Sequence, residues 1–141
     1  MQAVIDTNVY IFGFGFINDP DCEKLLSIIA EEPSLYILRI SRSIIKETSH
    51  NLSLEDFQKF IRFINTVTKI DEDFLIPFEL GAKYEAKGLK PADALIAAYT
   101  EWTSADVLVT ENRHFLSRQK NLPFKVLTAK DCLKLIKSSK K

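Results

Sequence analysis

The chain has 141 residues, 46% of them hydrophobic and 27% charged, with 19 basic residues set against 19 acidic ones. That length suits one domain around one core, and four Gly and five Pro exclude a collagenous or low-complexity chain. The zero formal charge excludes a protein that holds nucleic acid by bulk electrostatics, while leaving room for a local basic patch.

Short β-rich runs alternate with helical patterns along the chain. Ala3-Val4-Ile5 reads as a first strand. Asp19-Pro20 starts a helix with the proline at its first position, and Leu25, Leu26, Ile28 and Ile29 form its core face. Leu35 to Ile40 is a second strand, and Ser41 caps a helix reaching about Ser49. Ser53-Leu-Glu-Asp56 resembles a capping box ahead of a helix carrying Phe57, Phe60, Ile61 and Ile64. Thr68-Lys-Ile70 is a short third strand. Pro77 to Lys87 and Pro91 to Thr103 read as helices separated by a stop at Gly88. Val107 to Val109 and Phe124 to Leu127 complete the strands, and Thr128-Ala-Lys-Asp131 caps a last helix. One domain over residues 1–137, with a loose basic tail at 138–141, is the expected organisation. Cys22 and Cys132 form no C-x-x-C pair and read as reduced helix residues of a cytoplasmic protein. No apolar run approaches the ~20 residues of a membrane span, and MQAVIDTNVY lacks the features of a signal peptide.

Strands separated by helices predict an α/β fold whose parallel sheet is covered on both faces. Ligands of such sheets bind at the carboxyl ends of the strands, so polar groups just after each strand are the candidates. Asp6 follows the first strand, where it either caps the next helix or serves a site. Glu47 lies three residues after Ile44, on the core stripe of its helix or at that stripe's solvated margin. Asp93 stands in the first turn of an apolar helix with Ile96 and Ala97 beside it, where the helix dipole favours an anion. Thr110 and Asn112 follow the fourth strand and offer a hydroxyl and an amide oxygen. Asp106 precedes that strand and reads as structural.

Topology therefore brings Asp6, Glu47 and Asp93 to one edge. Gathered carboxylates repel unless a cation offsets them, and oxygen ligands without Cys or clustered His suit Mg²⁺ or Mn²⁺ rather than zinc. Such ions activate water and stabilise the leaving oxygen in phosphodiester cleavage.

Val4-Ile-Asp-Thr-Asn8, Pro91-Ala-Asp93-Ala-Leu-Ile-Ala97 and Ala105-Asp-Val-Leu-Val-Thr-Glu-Asn112 resemble the motifs of PIN-domain ribonucleases, in particular the VapC-like toxins. The resemblance covers nearly the whole chain. It implies a three-layer α/β/α fold with a five-stranded parallel sheet in order 3-2-1-4-5, and Mg²⁺- or Mn²⁺-dependent endonuclease activity on RNA. Asp6, Glu47 and Asp93 match the family's three main acids, and Asn8 the polar residue two after the first. The family often has a fourth acid two residues after the strand-four threonine. Here that position is Asn112, with Glu111 beside it, which implies one firm metal site and a weaker second unless Glu111 turns inward. A cognate antitoxin and a homodimer are implied partners, with the aromatic segment Phe12 to Phe16 as the exposed candidate surface.

Arg42, Lys46, Arg113 and His114, together with Arg39, are the candidates for contacting RNA phosphates. The glycines of Ile11-Phe-Gly-Phe-Gly-Phe16 form no dinucleotide-binding fingerprint and read as positions of close packing. The leading expectation is a metal-dependent endoribonuclease, with the toxin role of a toxin–antitoxin pair implied by the resemblance. The rival is a PIN-like binding module whose chemistry is impaired at Asn112. A phosphoacceptor domain is disfavoured because the chain shows neither an acidic pair ahead of the first strand's Asp6 nor a lysine directly after the last strand, and Asn8 breaks the D-x-D of a haloacid-dehalogenase-like phosphatase.

Overall fold

The computed structural model describes residues 1–117 and 121–139. Five parallel strands, β1 (Gln2–Ile5), β2 (Ile37–Ser41), β3 (Thr68–Asp71), β4 (Val107–Val109) and β5 (Lys125–Leu127), form one sheet in the order β3-β2-β1-β4-β5. The eight helices of the described residues are α1 (Thr7–Phe14), α2 (Pro20–Glu31), α3 (Arg42–Ser49), α4 (Leu54–Val67), α5 (Phe78–Ala86), α6 (Pro91–Trp102), α7 (Arg113–Leu116) and α8 (Ala129–Ser139). A single 3-10 turn, Asp73–Leu75, follows β3. This is the PIN-like α/β/α arrangement, with the strand order the motifs implied.

The central strands are apolar on both faces because helices cover both: Val4, Ile5, Leu108 and Val109 are all buried. The expected caps hold the helices in place. Asp19 accepts from the amides of Asp21 and Cys22, Ser41 from that of Ile44, and Ser53 from that of Asp56. Gly88, at φ 96°, turns the chain between α5 and α6 in a region that glycine enters without steric penalty. Cys22 and Cys132 are buried free thiols on α2 and α8, and burial raises them to about 12 and about 11. Helix α8 runs through Ser139, and residues 140 and 141 of the expected tail lie outside the described ones.

Helix α1 carries no periodic signal, because it is wedged between α2, α3 and α4 and shows no uniformly polar face. The aromatics of the Phe12 to Phe16 segment belong mostly to the core rather than to an exposed surface. Phe14 packs edge-on against Phe60 and Phe63, Phe12 is half-buried, and only Phe16, at 99% exposure, stands in solvent. The close-packing role of the glycines is real. A Cβ on Gly13 would crowd the movable end of the Leu26 side chain, and one on Gly15 would lie 2.5 Å from the Ile11 carbonyl oxygen, which cannot move aside as easily. No helix among the described residues is long and apolar enough to cross a membrane.

Candidate active site

The parallel pairing of Ile5 with Val109 sets Asp6 and Thr110 side by side at the carboxyl edge of the two central strands. Both are buried, Asp6 at 5% exposure and Thr110 at 0%. Asp6 is also the N-cap of α1, so the capping and site readings apply to one side chain. Its Oδ1 accepts from the Thr7 amide at 2.7 Å, and its Oδ2 accepts from the Thr110 hydroxyl at 2.7 Å.

From Asp6 a chain of hydrogen bonds runs out to both other acids. The Thr7 hydroxyl donates to Glu47 Oε2 at 3.3 Å. On the other side Thr110 Oγ1 accepts from the Asn112 amide at 3.1 Å, and the Asn112 side-chain NH₂ donates to Asp93 Oδ1 at 3.1 Å. Residues from α1, α3, α6 and the loop after β4 are thus tied into one polar network. Asn8 joins it from α1, its side-chain oxygen accepting from the Glu111 amide at 3.3 Å.

Burial is the main reason the Asp6 carboxyl is raised above the ordinary carboxylate value, since a charge there loses hydration. The bonds from Thr110 and Thr7 oppose that shift, and the neighbouring charges of Glu47 and Asp93 add to it. No Lys, Arg or His among the described residues forms an ion pair with any of the three acids.

As placed, no three His, Cys, Asp or Glu groups among the described residues are gathered tightly enough to enclose a metal ion. The donor set nevertheless fits a hard divalent cation. Its charged members are carboxylates, its neighbours are hydroxyls and amides, and the buried, raised carboxyl of Asp6 has no positive counterpart among the described residues. Asp6, Glu47 and Asp93 are the residues that could hold such an ion.

The geometry decides between the readings left open for Glu47 and Glu111 and corrects one for Asn112. Glu47 lies at the solvated margin of its helix and is exposed, reaching the network through Thr7 rather than from the core stripe. Glu111 turns away from the acids. Its Oε1 accepts from the Ala129 amide at 2.9 Å and lies 3.9 Å from Cys22 Sγ, so it caps α8 instead of replacing a fourth acid. The Asn112 amide oxygen does not face the edge, because it accepts from the His114 amide at 3.0 Å. Asp106 accepts from the Gln2 amide at 2.9 Å at the opposite end of the strands, in the structural role expected of it.

Among the cations, Arg39 is engaged by Asp71 rather than free for a phosphate. Its guanidinium forks onto Asp71 at 2.7 and 2.8 Å and lies 5.2 Å from the centre of the Trp102 ring. Tyr99 donates to Asp71 as well, at 2.6 Å. Arg42 pairs with Glu72 at 2.8 Å in an exposed bridge. Lys46 lies on α3 beside Glu47, Arg113 and His114 open α7 just after Asn112, and all three are exposed. Sequence reasoning missed Thr7, whose importance depends on how α1 docks against α3, and Asp71, a buried acid at the end of β3.

The PIN domain family model matches residues 3–121. The crystal structure of VapBC2 from Rickettsia felis bound to a DNA fragment from their promoter contains a similar chain. The two share 23% identity with a TM-score of 0.60, over 90% of this chain and 97% of that one, which is a likeness of fold. No curated protein matches. With the sheet order, the acids at its carboxyl edge and a family match over most of its length, this chain belongs to the PIN domain family.

Proposed function

We propose that the protein is a metal-dependent endoribonuclease that hydrolyses RNA phosphodiester bonds, acting as the toxin of a toxin–antitoxin pair. The observation that carries the reading is the hydrogen-bond chain from Glu47 through Asp6 to Asp93, three acids held at one edge with no side-chain cation among the described residues paired to them. Acids so arranged are poised for Mg²⁺ or Mn²⁺, which when bound would neutralise the charge developing on phosphate and acidify a water.

In this reading Asp6, Glu47 and Asp93 hold the ion. Thr110 fixes the Asp6 carboxylate by donating to Oδ2, and Thr7 does the same for Glu47. Asn8 braces the loop after β4 through the Glu111 amide. Hydrolysis adds water across one P–O bond: an oxygen from water joins phosphorus, and the ester oxygen leaves with a proton. Lys46 on one flank and Arg113 and His114 on the other supply exposed donors for the RNA backbone, and Arg42 joins them by releasing Glu72. The resemblance to VapC-like toxins supports a cognate antitoxin as protein partner, and a cytoplasmic setting accords with that role.

The test is cleavage of a mixed pool of single-stranded and structured RNA, with Mn²⁺ or Mg²⁺ added to metal-free protein. Wild-type protein should cleave only with the ion present, and Asp93→Asn should lose at least about a hundredfold in rate, on the scale of removing a ligand from a charged site. The second reading, a binding module with retired chemistry, is favoured by the neutral Asn112 at the usual fourth-acid position. RNA binding without turnover in either ion would establish it.

A further inference from the structure

Asn112 is held by three bonds that leave its side chain one orientation. An amide oxygen accepts and an amide NH₂ donates. The His114 backbone N–H, 3.0 Å away, requires the oxygen, so the NH₂ must face Asp93, where a carboxylate oxygen can only accept, at 3.1 Å. The Asn112 main-chain amide is fixed as well, on Thr110 Oγ1. A neutral donor therefore meets Asp93 where a fourth acid would meet it as a like charge. The adjacent Glu111 cannot supply that acid, because its carboxylate is committed to the Ala129 amide at the start of α8.

We propose that Asn112 is a positioning residue that stands in for a second cation at Asp93, orienting its carboxylate by a hydrogen bond and limiting the site to one divalent ion. The proposal rests on the metal-binding reading above and deepens it. A carboxylate already oriented by a neutral donor needs no second positive charge to hold it in place. Replacing that donor with an acid would retain the cap on His114, since a carboxylate oxygen accepts as well as an amide oxygen. It would also convert the contact with Asp93 into a repulsion that only an added cation relieves.

The experiment is calorimetric titration of Mn²⁺ into the metal-free full chain at fixed pH, paired with thermal melts with and without the ion. Wild-type protein should take one Mn²⁺ per chain. Asn112→Asp should melt lower than wild type without metal, gain a second binding event, and recover more on metal addition. Asn112→Ser keeps a hydroxyl for the cap but is too short to reach Asp93. It should still take one ion, bound about ten- to a hundredfold more weakly, as expected when a ligand loses its orienting partner. If Asn112→Asp fails to fold, Asn112→Ser carries the test alone. Two Mn²⁺ ions per wild-type chain, or wild-type affinity in Asn112→Ser, would overturn the proposal while leaving the metal reading intact. Absence of Mn²⁺ binding to wild type, or binding unaffected by Asp93→Asn, would overturn both.

Discussion

Replacing Arg39 with methionine tests whether this cation is structural, as its contacts indicate, or a nucleic-acid contact, as its position in the chain suggests. The guanidinium makes two charge-assisted bonds to Asp71, at 2.7 and 2.8 Å, in a pair whose side chains are 18% and 5% exposed. Methionine preserves much of the stem that lies near Trp102 but leaves the Asp71 carboxylate with Tyr99 as its hydrogen-bond donor. Breaking a buried pair from one side costs about 3–5 kcal/mol. Residual solvent at Arg39 places the expected loss near the lower end, about 3 kcal/mol. For a chain of this size that is a fall in Tm of roughly 10 °C, followed by circular dichroism. Asp71→Asn in the Arg39→Met background should restore part of the loss, because the stranded charge is gone. The pH dependence has a definite sign. Burial alone would raise the Asp71 carboxyl, but the bonds from Arg39 and Tyr99 outweigh it and hold the group below its ordinary 3.8. The pair's stabilisation is therefore complete above that value and fades as pH falls through the lower folded value, so the deficit of Arg39→Met should shrink in acid. A destabilisation below about 1 kcal/mol at neutral pH would refute the assignment.

Two further outcomes follow from the acid edge. Because the folded Asp6 carboxyl is raised, chiefly by burial, the metal-free protein should gain stability as pH falls from neutral through that raised value, and should stop gaining near the ordinary 3.8. Asp6→Asn should flatten this dependence, raise the metal-free stability at neutral pH by about 1 kcal/mol, and abolish Mn²⁺-stimulated cleavage; a less stable metal-free variant would contradict the burial argument. Glu111→Ala should cost about 1 kcal/mol through the lost contact with the Ala129 amide and leave Mn²⁺ affinity unchanged. Weakened Mn²⁺ binding in that variant would return Glu111 to the site.

Much of the architecture was readable because it depends on local signals. The caps at Asp19, Ser41 and Ser53, and the stop at Gly88, mark helix ends through hydrogen bonds and backbone conformations confined to a few residues. The rule that parallel sheets present their sites at the carboxyl edge then brings Asp6, Glu47 and Asp93 forward from 19 acidic residues and sets Asp106 aside, although applied to β3 it would have raised Asp71 as well. What escaped depends on contacts between distant segments. Helix α1 lacked an amphipathic period because other helices surround it. The direction of Glu111 is decided by an amide 18 residues away, and the partner of Arg39 lies 32 residues downstream. Neither separation leaves a trace in spacing or composition.

The carboxyl edge carries two buried acids with different electrostatic solutions, and the contrast separates structure from function. Asp71, at the end of β3, is answered within the chain by the Arg39 fork and the Tyr99 hydroxyl, and its carboxyl is held low. Asp6, at the end of β1, has comparable burial and hydrogen bonds to Thr7 and Thr110, but its charged neighbours are Glu47 and Asp93, and its carboxyl is held high. A fold needing both acids only for stability could have answered Asp6 with a cation as it did Asp71, or replaced it with an amide that still caps α1. Keeping an ionisable group in the costlier environment makes sense if positive charge arrives from outside the chain. Asn112 supplies a hydrogen bond to the neighbouring Asp93 but no charge, so on the proposed reading a bound cation would be what answers Asp6.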